Sequence, residues 1–373
     1  MLRSLDDVLA PLPVGEFAAA VDARKRFHVQ TTDPRRAESL LPWPEIEALI
    51  SMRRFENMKV MHNGMVVPPQ LYNADVSALH DVLLQGASIV ATRVDADVPQ
   101  IQWLATAIER QLGREVGVNA YLSFSEGGAF KPHWDRHDVL VLQVHGAKTW
   151  SIWNATLDNP VEMSRFAKHD ITDAPCQSLE LAAGDVLFIP RGEPHAASVS
   201  GGASVHLTFG IERVNGVDAL QRLQQAAGED ALLRADVPAK ERPAQLQAYE
   251  AEWKARLHRM VDALDLTQFL HDSDLQRPPL RQVSLSTFAE PSDLVRLTLR
   301  RRVPLDGDTV TIGGVAHTLS AAAVDLLRRL FERDWQTRAA LEQALASRHA
   351  SSAVERGLRE LARLGFIATH RPI

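Results

Sequence analysis

Residues 117–150 read GVNAYLSFSEGGAFKPHWDRHDVLVLQVHGAKTW, and this stretch decides the predicted fold. It consists of short segments that are rich in β-branched and aromatic residues and are separated by Gly, Pro and Asn, which is typical of β-strands. Segments of the same character continue to residue 211, namely KTWSIW, QSLELAAG, DVLFIP and ASVHLTFGI. A run of short strands at this spacing predicts an antiparallel barrel or jelly roll.

Candidate metal ligands lie in two parts of this region. The first part contains His133 and Asp135, and the second, GDVLFIPRGEPH, ends at His195. Residues two apart on a strand point to the same face, so one short segment can deliver two ligands to one ion. Two imidazoles and one carboxylate can hold three adjoining positions on a metal and leave three open, as in non-haem Fe(II) oxygenases. The sequence therefore predicts metal-dependent oxidation, in which Fe(II) and O₂ meet at His133, Asp135 and His195.

Other interpretations of these ligands are weaker. His137 shares the parity of His133 and Asp135, but three consecutive ligands on one face of a strand would diverge too far to meet at one ion. We expect His137 to line the rim of the pocket, with a surface position as the alternative. A zinc site is less favoured because the sequence has neither a helical HExxH motif nor a thiolate ligand.

Lys148 indicates an anionic cosubstrate. It lies among residues that should be buried, and a buried ammonium group is costly unless it meets an anion. A dicarboxylate cosubstrate would be such an anion, with its far carboxylate on Lys148 and its keto acid end on the iron. The alternative is a lysine at the barrel end whose ammonium reaches solvent. Tyr121 could donate its hydroxyl to the same carboxylate or be a core aromatic, while Ser123 shares its parity and Ser125 is a further candidate if the loop bulges.

These stretches resemble the JmjC-type, cupin-fold 2-oxoglutarate oxygenases, and within them the ribosomal oxygenases, over residues 117–212. GDVLFIPRGEPH also fits the second general cupin motif, G-x5-P-x-G-x2-H. The resemblance implies an α+β fold: a double-stranded β-helix core with an N-terminal extension, a helical dimerisation region and a C-terminal winged-helix domain. It also implies two sets of site residues, a catalytic set that binds iron and a second set that binds 2-oxoglutarate. The first set is His133, Asp135 and His195; the second is Lys148 with Tyr121, Asn119, His206 and either Ser123 or Ser125.

The predicted domains follow the change in sequence character. Residues 1–110 mix helical periodicity with short apolar runs and form an N-terminal α/β extension on the core, residues 111–215. Residues 216–275 have apolar residues at helical spacing, and either the same chain or a second copy must cover such a face. The resemblance implies a homodimer through this region. Residues 276–373 begin with QRPP, a plausible linker, and then combine strands and helices in an order that suits a winged helix. Direct nucleic-acid binding is not expected there, because a dense basic face is missing.

Charge and composition limit the partners and the compartment. The chain has 373 residues, a net charge of −6 and one cysteine, Cys176. No apolar stretch approaches the roughly 20 residues that cross a bilayer, and the N-terminus lacks an export signal, so we expect a cytoplasmic protein without a membrane partner. Residues 276–373 contain 15 Arg and no Lys against 10 Asp and Glu, so they are positively charged. Because the whole chain is negative, residues 1–275 are strongly acidic. An acidic body attracts a basic protein or peptide, although ordinary solvated charge is the alternative interpretation.

The resemblance implies an enzyme that uses Fe(II), 2-oxoglutarate and O₂ to hydroxylate a protein side chain, an arginyl or histidyl residue of a basic ribosomal protein. Hydroxylation of a biosynthetic peptide is the alternative within this class. Demethylation is less favoured because no aromatic cage for methyl-lysine can be discerned. A non-catalytic metal-binding cupin scaffold or regulator is the alternative from another class, but a scaffold does not need the buried cation of Lys148.

Overall fold

The computed structural model describes residues 2–52, 58–73, 75–124, 130–155, 157–161, 174–199, 202–280 and 294–370. The chain divides into two compact units, Met1–Arg213 and Val214–Ile373. Among the described residues, no helix has both the length and the apolar character needed to cross a membrane.

The first unit combines helices with many short strands. Its helices are α1 (Leu5–Leu9), α2 (Val14–Asp22), α3 (Trp43–Met52), α4 (Val76–Leu84) and α5 (Pro99–Leu112). The strands of its N-terminal part are β1 (Phe27–Val29), β2 (Met58–His62), β3 (Met65–Val66) and β4 (Ser88–Ala91). They are followed by β5 (Val116–Ser123), β6 (Asp138–His145), β7 (Ala147–Ile152), β8 (Gln177–Ala182), β9 (Val186–Ile189), β10 (His195–Ser198) and β11 (Ser204–Ile211).

These strands form two antiparallel sheets. In the described part of the chain, the larger sheet has eight strands in the order β1-β9-β6-β11-β5-β4-β2-β3, and the smaller has three in the order β10-β7-β8. Side chains from both sheets meet in one apolar cluster, with Val139, Val141, Leu187 and Ile189 from the larger sheet and Trp150, Ile152 and Leu181 from the smaller. The predicted double-stranded β-helix core is confirmed.

Strand periodicity divides the larger sheet into an inner and an outer face. On β6, Val139 and Val141 face the smaller sheet, whereas Leu140 and Leu142 belong to the cluster on the outer face. Successive side chains on a strand point to opposite faces, so every second residue reaches the space between the sheets. The same alternation on β5 places Tyr121 on the inner face, because its neighbours Ala120 and Leu122 lie in the outer cluster.

The N-terminal segment contributes strands to the sheet as well as helices that pack on it. β4, β2 and β3 extend the larger sheet beyond β5, and β1 pairs with β9 at the opposite edge. Phe17 of α2 and Leu104 of α5, both fully buried, join the outer cluster. The extension predicted for residues 1–110 is therefore structurally continuous with the barrel strands, and the finer division of the chain into four domains stays a prediction.

The second unit begins with helices α6 (Gly216–Glu229), α7 (Pro243–Asp262) and α8 (Leu266–Leu275). Asn215 and Asp218 form a capping box that begins α6. Neither α7 nor α8 has a residue buried within the described chain.

The C-terminal part of this unit has its own apolar core. It contains β12 (Leu294–Leu297), β13 (Leu305–Asp306), β14 (Thr309–Ile312), β15 (Val315–Thr318), α9 (Ala321–Glu332), β16 (Trp335–Thr337), α10 (Arg338–Leu345), α11 (Ser351–Arg363) and β17 (Ile367–His370). Leu326 and Leu327 of α9 and Leu361 of α11 are fully buried in this core. The predicted strands and three helices are present, and their interpretation as a winged helix stays a prediction.

Candidate metal centre

A pair of backbone hydrogen bonds holds His133 against His195. The His133 amide donates to the His195 carbonyl at 3.1 Å, and the His195 amide donates to the His133 carbonyl at 2.8 Å. The two residues thus form an isolated antiparallel bridge. Residues that exchange both hydrogen bonds lie directly opposite each other, so their side chains project from the same side. The two imidazoles are placed together by the backbone itself.

Asp135 reaches the same point from an irregular segment. We expected His133 and Asp135 to lie on a strand, but β6 begins only at Asp138. The Asp135 carbonyl instead accepts a hydrogen bond from the Gly192 amide at 3.0 Å. Gly192 has φ +86°, and a Cβ there would lie 2.4 Å from the Leu157 carbonyl oxygen. Glycine is therefore required at this turn, which fixes both Asp135 and the approach to His195.

The three side chains form a compact set of ligand atoms. One donor atom from each of His133, Asp135 and His195 lies within 4.8 Å of the others, and His195 Nε2 is 3.5 Å from Asp135 Oδ2. Each imidazole Nδ1 is 3.0 Å from a backbone carbonyl, that of Lys131 for His133 and that of Glu193 for His195. A carbonyl only accepts, so Nδ1 carries the proton in both rings and the lone pair of Nε2 is left for a metal.

The electrostatics favour a deprotonated carboxylate. Burial raises the pKa of Asp135, but the hydrogen bond from His195 and the charges of the nearby imidazoles outweigh burial and hold it below its usual range. Burial lowers the pKa of His133, and the charge of His195 lowers it further. Burial also opposes protonation of His195, yet its hydrogen bond to Asp135 leaves the pKa raised. A metal ion must displace this shared proton, so metal affinity should fall at acid pH.

Lys148 lies in the same pocket with its charge uncompensated. It is 4% exposed, and no hydrogen bond or ion pair to it is present among the described residues. Burial lowers the pKa of Lys148 to about 7. The predicted burial of this lysine is thus observed, and the alternative of an ammonium that reaches solvent is not. A cation in such surroundings requires an anion to be stable, and the described part of the chain does not supply it.

Two predicted residues stack beside Lys148. The rings of Tyr121 and His206 lie parallel at 4.8 Å, and both line the pocket. Burial and the charge of Asp135 raise the pKa of Tyr121 to about 12, so its hydroxyl remains a donor. Burial and the charge of Lys148 lower the pKa of His206 well below its ordinary value, which keeps the imidazole neutral. Asn119 hydrogen-bonds Tyr121 and accepts from the Arg93 amide at 3.0 Å, so it contacts the pocket through Tyr121.

The remaining predicted residues lie elsewhere. Ser123 is buried, and its hydroxyl oxygen lies 2.7 Å from that of Ser88, away from the residues that line the pocket. Ser125 lies outside the described residues. His137 is not part of the ligand cluster, and its Nδ1 is 3.8 Å from a carboxylate oxygen of Glu212.

Sequence reasoning missed two aromatic pocket residues. Phe130 packs against His133 with ring centroids 5.3 Å apart, and Trp150 lies 6.0 Å from the ring of His195. The signal for Trp150 was its spacing, since it stands two residues after Lys148 on β7 and therefore shares its face. Phe130 follows a loop, so no periodicity could assign it.

The donor set fits Fe(II). Two neutral imidazoles and one carboxylate with open positions opposite them are the ligands of non-haem iron oxygenases. The Nδ1 hydrogen bonds supply the outer contacts that orient ligating histidines. Thiolates are absent from the cluster of described ligand atoms, which separates it from the usual structural zinc sites.

The fold and the ligand set define the class. Residues 97–219 match the JmjC domain family. The domain includes each proposed metal ligand and Lys148.

The chain is also similar to curated proteins. The chain is 28% identical over 250 residues to the bifunctional lysine-specific demethylase and histidyl-hydroxylase NO66 of Culex quinquefasciatus. This match covers 60% of this chain and 37% of that protein. It is 26% identical over 231 residues to ribosomal oxygenase 1 of Rattus norvegicus, covering 57% of this chain and 37% of that protein. The chain therefore matches well under half the length of these relatives.

Solved structures share the fold over nearly the whole chain. The ribosomal oxygenase YcfD of Escherichia coli matches with a TM-score of 0.57 and 17% identity, covering 96% of this chain and 98% of that one. A complex of YcfD with cobalt and 2-oxoglutarate matches with a TM-score of 0.58, 18% identity and the same coverage of both chains. These similarities show a common fold.

The depressed pKa of Lys148 predicts a pH dependence of stability. Between about pH 7 and the ordinary pKa of 10.5, Lys148 is protonated in the unfolded chain and deprotonated in the folded chain. The free energy of unfolding of the wild type therefore rises with pH over this range. Replacing Lys148 by Met removes this dependence. In urea unfolding of the metal-free protein, we expect Lys148→Met to have a higher free energy of unfolding than the wild type at neutral pH. This difference should shrink by about 1.4 kcal/mol for each pH unit above neutrality.

The control is Lys59→Met, because Lys59 lies on β2 with an exposed side chain. The free energy of unfolding of this variant should differ from that of the wild type by the same amount at each pH. If the curves for wild type and Lys148→Met stay parallel between about pH 7 and about pH 10, the ammonium of Lys148 is not desolvated.

Proposed function

We propose that the protein is an Fe(II)- and 2-oxoglutarate-dependent oxygenase that hydroxylates a side chain of another protein. One observation carries the proposal: the three ligands of the metal centre share a pocket with the unpaired ammonium of Lys148. A metal site alone would not need this cation. A dicarboxylate that chelates the metal at one end and meets Lys148 at the other explains both features.

Each pocket residue has a role in this proposal. His133, Asp135 and His195 would hold the iron on one side, and Lys148 would bind the far carboxylate of 2-oxoglutarate. Bound iron with its cosubstrate and O₂ would supply the oxidising power for an unreactive C–H bond. The chain supplies orientation and exclusion of water: Tyr121 keeps its proton as a donor, and Phe130 covers His133.

Ser123 is the weaker of the two proposed serine contacts, because its hydroxyl is engaged with Ser88. Asn119 would act by orienting the Tyr121 hydroxyl, and His206 would contact the cosubstrate as a neutral ring.

We infer that the substrate is an arginyl or histidyl residue of a basic ribosomal protein. The matched relatives are named as histidyl-hydroxylases and ribosomal oxygenases. The acidic balance of residues before 276 favours association with a basic partner. A ribosomal substrate is also in keeping with the cytoplasmic location that we expect for this protein.

Replacing Asp135 by Asn tests the metal centre. The amide lacks the charge that binds the ion, so we expect Co(II) affinity to fall by more than about 100-fold and succinate release from 2-oxoglutarate to be lost. Visible absorption of bound Co(II) and a succinate assay measure the two effects. Asp158→Asn is the control, since Asp158 is largely exposed and pairs with Arg24. Unchanged Co(II) absorption in Asp135→Asn would contradict the ligand assignment.

The substrate is tested in cells. Ribosomal proteins from the host are compared by intact-mass spectrometry with the gene present, deleted and restored as the Asp135→Asn variant. We expect one protein to carry the mass of one additional oxygen atom only with the wild-type gene. Identical masses in all three strains would exclude a ribosomal substrate and favour a biosynthetic peptide.

We also propose a homodimer formed through residues 216–275. Helices α7 and α8 have no buried residue in the single chain, while Leu266 and Leu270 are 58% and 48% exposed. Leu220 of α6 is 60% exposed as well. Apolar surface of this kind on consecutive helices favours burial against a second copy.

Light scattering tests the assembly. The wild type should have twice the mass of one chain at micromolar concentration, and Leu266→Asp with Leu270→Asp should reduce it to that of one chain. The matched control is Val315→Asp, at an exposed position on β15 outside these helices. A monomeric wild type would remove the dimer proposal.

A further inference from the structure

The pocket beside the metal ligands contains a second donor without a partner, the indole N–H of Trp150. Trp150 is 4% exposed and lines the pocket together with Lys148. Its Nε1 is buried and has no hydrogen-bond partner among the described residues. Proteins rarely leave a buried N–H without an acceptor, because the loss of its hydration is then uncompensated. The indole therefore requires an acceptor that the described chain does not provide.

Trp150 lies between the cation and the metal ligands. Lys148, Trp150 and Ile152 alternate on β7, so their side chains share the inner face. Ile152 is the Cα partner of His195, and Trp150 is the partner of Ala197. Along β7, the indole thus lies between Lys148 and Ile152, the residue paired with His195.

The rings of His206 and His195 pack next to the indole. The His206 ring meets it nearly edge-on, with centroids 5.3 Å apart at 69°, and the His195 ring lies 6.0 Å away. The indole is closer to the ring of His206 than to that of His195, and His206 feels the charge of Lys148. These contacts pack the indole ring against His206, which lines the same pocket as Lys148.

No anion at the Lys148 end of the pocket comes from the residues that the structure describes. Asp135 is the one carboxylate among the residues that line the described pocket, and it faces His195. Lys148 and Trp150 therefore present a charged and a neutral hydrogen-bond donor to a part of the pocket where the described residues supply no carboxylate. A carboxylate has two oxygens with about four acceptor sites and can satisfy both donors at once.

We propose that Trp150 Nε1–H donates a hydrogen bond to the far carboxylate of the bound dicarboxylate, the same group that Lys148 holds. The inference rests on the proposed function and adds a specificity-determining residue to it. An ammonium on a flexible stem follows a carboxylate over a range of positions, whereas the packed indole donates along one direction. Trp150 thus selects a dicarboxylate of one length over keto acids that lack the second carboxylate.

The indole proton itself reports on this contact. With Zn(II) in place of iron, no turnover occurs, and ¹⁵N-labelled protein shows one indole signal for each of the 7 tryptophans. Loss of one signal in Trp150→Phe assigns it. We expect 2-oxoglutarate to move this signal downfield and pyruvate, which lacks the far carboxylate, to leave it in place. Trp253, in the second unit, serves as the internal control.

Affinity gives the second measurement. By calorimetry with Zn(II), Trp150→Phe should weaken 2-oxoglutarate binding about tenfold, the usual effect of one hydrogen bond to a charged group, and should leave pyruvate binding unchanged. Trp253→Phe should alter neither. If Trp150→Phe does not fold, Trp150→Tyr supplies the assignment and the shift in the wild type decides.

The outcomes separate the two levels of the proposal. If the wild type binds 2-oxoglutarate but Trp150→Phe binds it equally well, or the indole signal does not move, the role of Trp150 is overturned and the proposed function stands. Equal losses for 2-oxoglutarate and pyruvate overturn the assignment to the far carboxylate. If the wild type binds no 2-oxoglutarate, the proposed function fails and this inference fails with it.

Discussion

The reciprocal backbone pair between His133 and His195 is the constraint on which the metal centre depends. Two hydrogen bonds set the spacing of the segments and send both imidazoles to the same side. The side chains then need only one further restraint each, and the carbonyls of Lys131 and Glu193 provide it by holding Nδ1. The ligand geometry is thus built into the main chain, which is more rigid than a set of side-chain contacts alone.

The sheet keeps this pair in place. His195 begins β10 of the smaller sheet, and the segment that carries His133 and Asp135 leads directly into β6 of the larger one. β6 is paired on both edges and is buried over most of its length. The strands of the N-terminal segment extend the same sheet, so its packing supports the site as part of a single framework rather than as an added layer.

The pocket is costly for the folded chain. Among the residues that the structure describes, Lys148 is buried without a counter-charge, and Trp150 and His206 each keep a buried nitrogen without a partner. Such groups oppose folding unless a ligand meets them. These groups are concentrated in one pocket, and the strands next to it have the apolar pattern of an ordinary core. This contrast indicates a binding site and not a packing defect.

The sequence by itself determined the strand-rich core, the identity of the ligands His133, Asp135 and His195 as candidates, and the burial of Lys148. These properties follow from local periodicity and from residue types at short spacing, which the chain carries wherever its segments are placed. Only the tertiary structure decided that β1 to β4 join the barrel sheet, that Ser123 bonds Ser88, and that the ligands sit in an irregular segment before β6. It also brought Trp150 beside Lys148 and left its N–H without an acceptor. Pairing between distant segments decides these features, and no local pattern encodes which strand a given edge will meet.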